Sequence, residues 1–164
     1  MNEIQTRIIA ECRSWLGTPW RDGGSAAKGP NGGVDCSRFA LSVFCNAGLG
    51  DFSDFFIENV PGVYCLQRGN KSYVKEWLDR HHGSVKPVFG GIGSLQPCDI
   101  VAMMEGAIVH HVGIIDEDIL HMYSCRVPEG VVREQFVGNV GLERKFRMGG
   151  NLIFRPVALY ARAN

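Results

Sequence analysis

Cys36, His111 and His121 are the residues whose types and settings fit nucleophilic chemistry. Cys36 lies in GVDCSRFALSVF (33–44), between an aspartate and a serine, where a glycine-rich loop gives way to an apolar helix. A helix N-terminus carries roughly half a positive charge on unpaired N–H groups. That charge favours a thiolate, and the same groups can hydrogen-bond the oxyanion that forms when sulfur attacks a carbonyl. None of the other cysteines (Cys12, Cys45, Cys65, Cys98, Cys125) has this setting.

The sulfur needs a base. His81 and His82 close a charged helical stretch and are expected to face solvent, whereas His110 and His111 are neighbours in a strand, so alternation sends them to opposite faces. If residues 116–118 form a three-residue turn, Gly113 opposes His121 and His111 opposes Tyr123. His111 and His121 then share a face as diagonal neighbours about 7–8 Å apart, whereas a two-residue turn separates them. The three-residue turn is the expectation, because His121 can then hold one nitrogen of His111 while the other faces Cys36. Gly113 would leave room for the His121 ring. Zinc held by Cys36, His111, His121 and Cys125 is a rival use of the same residues, although the chain has no CxxC pair.

The elements that must position these groups follow from periodicity. Residues 2–16 read as a helix with Ile4, Ile8, Ile9, Cys12 and either Leu16 or Trp15 on its apolar stripe. Pro19 ends it, and the glycines and prolines of 17–33 make a loop. A second helix is expected over 35–47 and a third over 70–82. Residues 99–104, 108–115, 119–124, 130–136 and 151–159 are short, β-branched and bounded by turn residues, so they read as strands. Helices first and strands afterwards predict an α+β domain, an antiparallel sheet with helices packed on one side.

The 164 residues fit a single domain, and 17 basic against 17 acidic side chains give no reason to expect a nucleic acid or an anionic membrane as partner. The N-terminal stretch has scattered charges and reads as neither signal peptide nor membrane span, so reduced thiols and a cytoplasmic or virion-associated protein are expected.

WLGTPWRDGG (15–24), GVDCSRFALSVFCNAGL (33–49), LQPCDIVAM (95–103), HVGII (111–115) and ILHMYSCRVPEGVV (119–132), in that order, resemble the NlpC/P60 family of papain-like cysteine peptidases. The likeness covers nearly all the chain except about 50–90, where a variable insertion is expected, and it is nearest to compact phage-type cell-wall peptidases. It implies a papain-like α+β fold, with N-terminal helices on a five- to six-stranded antiparallel sheet. It also implies a Cys36–His111–His121 triad, no metal or cofactor, and hydrolysis of peptidoglycan stem peptides, often beside a D-residue such as γ-D-glutamate. Asp35 and Ser37 stand where related enzymes bind the substrate amine and backbone, and Trp20 where a tyrosine often walls the cleft. Arg38 replaces a usual glycine, either facing solvent or altering which substrate carboxylate is accepted, and Cys98 replaces the glycine of a PGD turn. Cysteine before histidine in the chain argues against the permuted lipid acyltransferases. The remaining alternatives are an amidase or acyltransferase with the same triad, and an idle binding module in a larger tail-like assembly.

Overall fold

A computed structural model of the chain describes residues 1–23, 27–49, 85–105 and 108–160. The helix expected over 70–82, His81, His82, Cys65 and most of the 50–90 insertion lie outside the described residues. Helix α1 spans Glu3–Ser14 and starts in a capping box, where the Asn2 side chain accepts from the Gln5 N–H and the Gln5 side chain accepts from the Asn2 N–H, each at 2.9 Å. Its stripe buries Ile8, Ile9 and Cys12. At the stripe's end Trp15 is buried and Leu16 exposed, because the indole packs edge-on against Phe39 at 6.1 Å and donates to Glu11 at 2.9 Å.

Helix α2 spans Cys36–Asn46, and every residue from Cys36 to Phe44 is buried. A helix enclosed on all sides is a central element, and α2 lies across the sheet over the strands that carry the histidines. The strands are β1 (Val85–Val88), β2 (Ile100–Glu105), β3 (Ile108–Ile115), β4 (His121–Arg126), β5 (Gly130–Gln135) and β6 (Leu152–Pro156). They form one antiparallel sheet in the order β1-β6-β2-β3-β4-β5. The α+β architecture with a six-stranded antiparallel sheet agrees with expectation. No described helix is long and apolar enough to cross a membrane.

Both faces of the sheet are covered. Ile100, Val112, Ile114 and Tyr123 pack with Ile8, Phe39 and Phe44 beneath α1 and α2. On the opposite face Val101, Met103, Ile115 and Met122 pack with Phe136 and Phe146. Phe146 belongs to helix α3 (Val140–Met148), which the strand-rich reading of this half of the chain passed over and which packs on β2. Helices therefore occupy two sides of the sheet, not one.

The β3–β4 hairpin differs from the expected three-residue turn. Gly113 pairs with Ser124, Ile114 with Tyr123 and Ile115 with Met122, and the Asp116 N–H donates to the His121 carbonyl at 2.9 Å. The loop is therefore 117–120, closed by Asp118, whose Oδ1 accepts from the Leu120 and His121 N–H groups at 2.9 and 3.0 Å. Asx hydrogen bonding of this kind offers the backbone a turn of its own, and one added residue reverses the parity of everything beyond it. The space above Gly113 is taken by Met122, whose sulfur would stand 2.6 Å from an added Cβ, and not by His121.

Across the sheet, Asp99 is fully buried and held by Arg155 through two parallel bonds of 2.7 Å, and the Arg155 guanidinium also donates to the Ser94 carbonyl at 2.9 Å. Removing one partner leaves the other charge buried without compensation. Arg155→Leu is expected to lower stability by about 3–5 kcal/mol, measured as a reduced urea midpoint at unchanged slope; a loss below about 1 kcal/mol, the range of an exposed pair, would contradict it.

Candidate active site

Cys36 is the first residue of α2, and Asp35 is its N-cap. One Asp35 oxygen accepts from the Ser37 and Arg38 N–H groups at 3.1 and 2.8 Å, and the other pairs with the Arg38 guanidinium at 2.5 Å. Asp35 is fully buried and Arg38 nearly so. Arg38 thus does not face solvent; it neutralises the cap. Ser37 is buried too, its hydroxyl 3.8 Å from the Cys36 sulfur.

The loop before α2 is stitched to the segment after α1. The Val34 N–H donates to the Pro19 carbonyl at 3.1 Å, and the Arg21 N–H donates to the Val34 carbonyl at 3.0 Å. This parallel bridge sets Trp20 beside Val34, two residues from the sulfur. Gly33 permits the approach, since an added Cβ would lie 2.2 Å from the Arg21 side chain. The Val34 carbonyl also accepts from the Cys125 thiol at 3.1 Å.

A cavity of about 340 Å³ opens at this point. Trp20, Cys36, His110, His111 and Cys125 line it, with Met103, Arg126, Val127 and Glu134 from the sheet end and Leu142 and Lys145 from α3. Both adjacent histidines face it, contrary to the alternation expected of a strand. The cause is a bulge: β2 pairs Met103 with His111 but Met104 with Val109, which makes His110 an inserted residue. An inserted residue breaks the two-residue period and re-aims its neighbours.

His121 is not at this site. It stands beside Asp116, five strand positions and roughly 17 Å from His111. Its Nδ1 is 2.7 Å from Asp118, which also pairs with Arg133 at 2.6 Å. His121 therefore does not orient His111, and the rival zinc set of Cys36, His111, His121 and Cys125 cannot gather around one ion. Of the four residues expected to bind substrate (Trp20, Asp35, Ser37 and Arg38), the structure puts only Trp20 on the cavity.

The residues that sequence reasoning missed have traceable signals only in part. Asn139 followed by Val140, Leu142 and Phe146, with Gly149-Gly150 beyond, is a legible capped helix that would have placed α3. Nothing in the sequence says that Lys145 and Leu142 border the same cavity as Cys36. The charges around the cavity are uneven: Glu134 is occupied by Arg126 at 2.9 Å and by the Ser124 hydroxyl, while the Lys145 ammonium has no ion-pair partner among the described residues.

Cys12, Cys98 and Cys125 are buried thiols away from any helix N-terminus. Burial pushes the Cys98 and Cys125 thiols up to about 12, and raises Cys12 as well. A thiol of pKa 12 is about one part in 10⁵ thiolate at pH 7, and thiolate is the species that alkylates. Iodoacetamide at pH 7 is expected to modify Cys36 while leaving Cys12, Cys98 and Cys125 untouched, as read by peptide mass mapping. Modification of the buried three ahead of Cys36 would contradict this assignment.

No protein-family model matches the chain, and no curated protein matches its sequence. Two solved structures are similar to it. One is a Staphylococcus aureus subsp. aureus Mu50 protein described as similar to lipoprotein, NLP/P60 family, with TM-score 0.55 and 18% identity over 88% of this chain and 40% of that one. The other is the NlpC/p60 domain of the peptidoglycan hydrolase SagA, with TM-score 0.49 and 18% identity over 85% of this chain and 93% of that one. The chain thus spans 40% of the length of the staphylococcal protein. With helices α1 and α2 laid over this antiparallel sheet, the chain has the NlpC/P60 fold.

Proposed function

We propose that the chain is an NlpC/P60 cysteine peptidase acting on the stem peptides of bacterial cell wall. The observation that carries this reading is the presence of Cys36, at the first residue of α2, in one cavity with His111. Five motifs in family order and the shared fold support it.

The steps follow from the groups present. His111 takes the Cys36 proton, and the thiolate attacks the peptide carbonyl carbon. Asp35 already engages the Ser37 and Arg38 N–H groups. Oxyanion stabilisation is assigned to the Cys36 N–H, which lies at the positive end of α2. Protonated His111 then delivers its proton to the leaving amine, breaking the C–N bond and leaving a thioester. His111 next deprotonates water, which attacks the thioester and restores the thiol. Trp20 walls the cleft. Asp35 and Arg38 act as positioning residues, because the cap sets where α2 begins.

The substrate chemistry matches the charge of the cavity. A γ-linked D-glutamate leaves its α-carboxylate free, and Lys145 offers a cation with which to meet it. Muropeptide digestion followed by chromatography and mass spectrometry tests the whole reading. Cys36→Ala is expected to abolish cleavage and His111→Ala to reduce it by about 10²–10⁴-fold. His121→Ala should leave it unchanged, because that ring is engaged at the far end of the hairpin. Equal losses at His121 and His111 would overturn the assignment, and collapse at His110 with His111→Ala still active would transfer the role of base to His110.

A second expectation concerns Lys145. Lys145→Glu is expected to raise KM for a carboxylate-bearing peptide by about tenfold, with the effect shrinking at high salt, since exposed charges are screened. An unchanged KM, or one insensitive to salt, would remove Lys145 from substrate recognition.

A further inference from the structure

The cavity contains a second thiol that hydrolysis does not use. Continuing the register that pairs Gly113 with Ser124 places Cys125 level with Val112, on the sheet face that α2 covers. Cys125 is buried, lines the cavity with Cys36, and donates to the carbonyl of Val34, two residues before the nucleophile. The segment that delivers one sulfur thus tethers the other. Cys12 and Cys98, equally buried, lie off the cavity.

We propose that Cys36 and Cys125 form a reversible disulfide that closes the active site, with a peroxide as oxidant. The Cys36 thiolate attacks one peroxide oxygen, the O–O bond breaks, hydroxide leaves, and Cys36 becomes a sulfenic acid. Cys125 loses its proton, its sulfur attacks the Cys36 sulfur, and the S–O bond breaks. The hydroxide released takes up that proton as water. Two thiols lose two electrons and one peroxide becomes two waters. A second sulfur in place shortens the life of the sulfenic acid and spares Cys36 from irreversible oxidation. The high pKa of Cys125 keeps it a thiol until that moment, so oxidation begins at Cys36.

The inference rests on Cys36 being the reactive thiol of the proposed peptidase, and mass rather than turnover is its primary readout. The full chain is treated with a small excess of hydrogen peroxide, blocked with iodoacetamide, digested without reductant and mapped by mass spectrometry. The expected product is a peptide pair joining Cys36 to Cys125, about 2 Da below the sum of its parts and separated by dithiothreitol. In Cys125→Ala, Cys36 should instead gain two oxygens that dithiothreitol does not remove. Stem-peptide turnover should fall at least about tenfold on oxidation and return on reduction in the wild type alone. A wild-type Cys36 oxidised to sulfinic acid while Cys125 keeps the mass of an unlinked thiol, or a disulfide through another cysteine, would overturn the proposal; the wild-type map decides this even if the variant does not fold. A Cys36–Cys125 linkage in a chain that cleaves no stem peptide would sink the peptidase and leave the disulfide standing.

Discussion

The Asp35 carboxylate lies wholly out of water at the start of α2, one oxygen accepting two backbone N–H groups and the other meeting the Arg38 guanidinium. An isolated carboxylate would not survive ionised in that environment; the cap and the cation together hold it there. The arrangement has a direct consequence for the sulfur. With Asp35 fixed as N-cap, the next residue must be the first of the helix, so Cys36 stands at the positive end of α2 and on the cavity wall. Arg38 also neutralises the negative charge that Asp35 would otherwise hold beside the Cys36 sulfur.

The rest of the site is built where loop and sheet meet this helix end. The Pro19–Val34–Arg21 hydrogen bonds draw the post-α1 segment against the loop before α2 and bring Trp20 to the cavity. From the other side, the bulge in β3 turns two consecutive histidines toward one space, which an unbroken strand cannot do. Helix α3, packed across the opposite sheet face, extends Leu142 and Lys145 over the rim. The site therefore sits at the end of the sheet, where groups from both of its sides converge.

The far end of the β3–β4 hairpin is a separate polar cluster. Arg133 pairs with buried Asp116 and with Asp118, Asp118 holds His121, and Arg13 reaches Glu117 and Tyr123. Arg133 compensates the buried carboxylate of Asp116, and the bonds of Asp118 to the backbone and to His121 define the loop that sets the register. A histidine whose sequence position invited a catalytic role is here part of the device that closes a turn.

Much of this was legible in the chain. Apolar spacing marked α1 and α2, β-branched runs marked five strands with ends at most three residues off, and the glycine-rich loop before an aspartate marked the helix start where Cys36 stands. These are local properties: hydrophobic period, capping chemistry and backbone freedom act over a few residues. The histidine beside Cys36 was legible in type but not in arrangement. His110 joins His111 at the cavity through one inserted residue, His121 leaves it through one added turn residue, and Cys125 and Lys145 arrive by strand pairing and helix packing. Register and bulges depend on which distant strand supplies the hydrogen bonds, and a single-residue change there reverses every side chain beyond it. Sequence alone thus determined α1, α2, five of the strands and the place of Cys36 at a helix start, whereas tertiary pairing decided which side chains surround that sulfur.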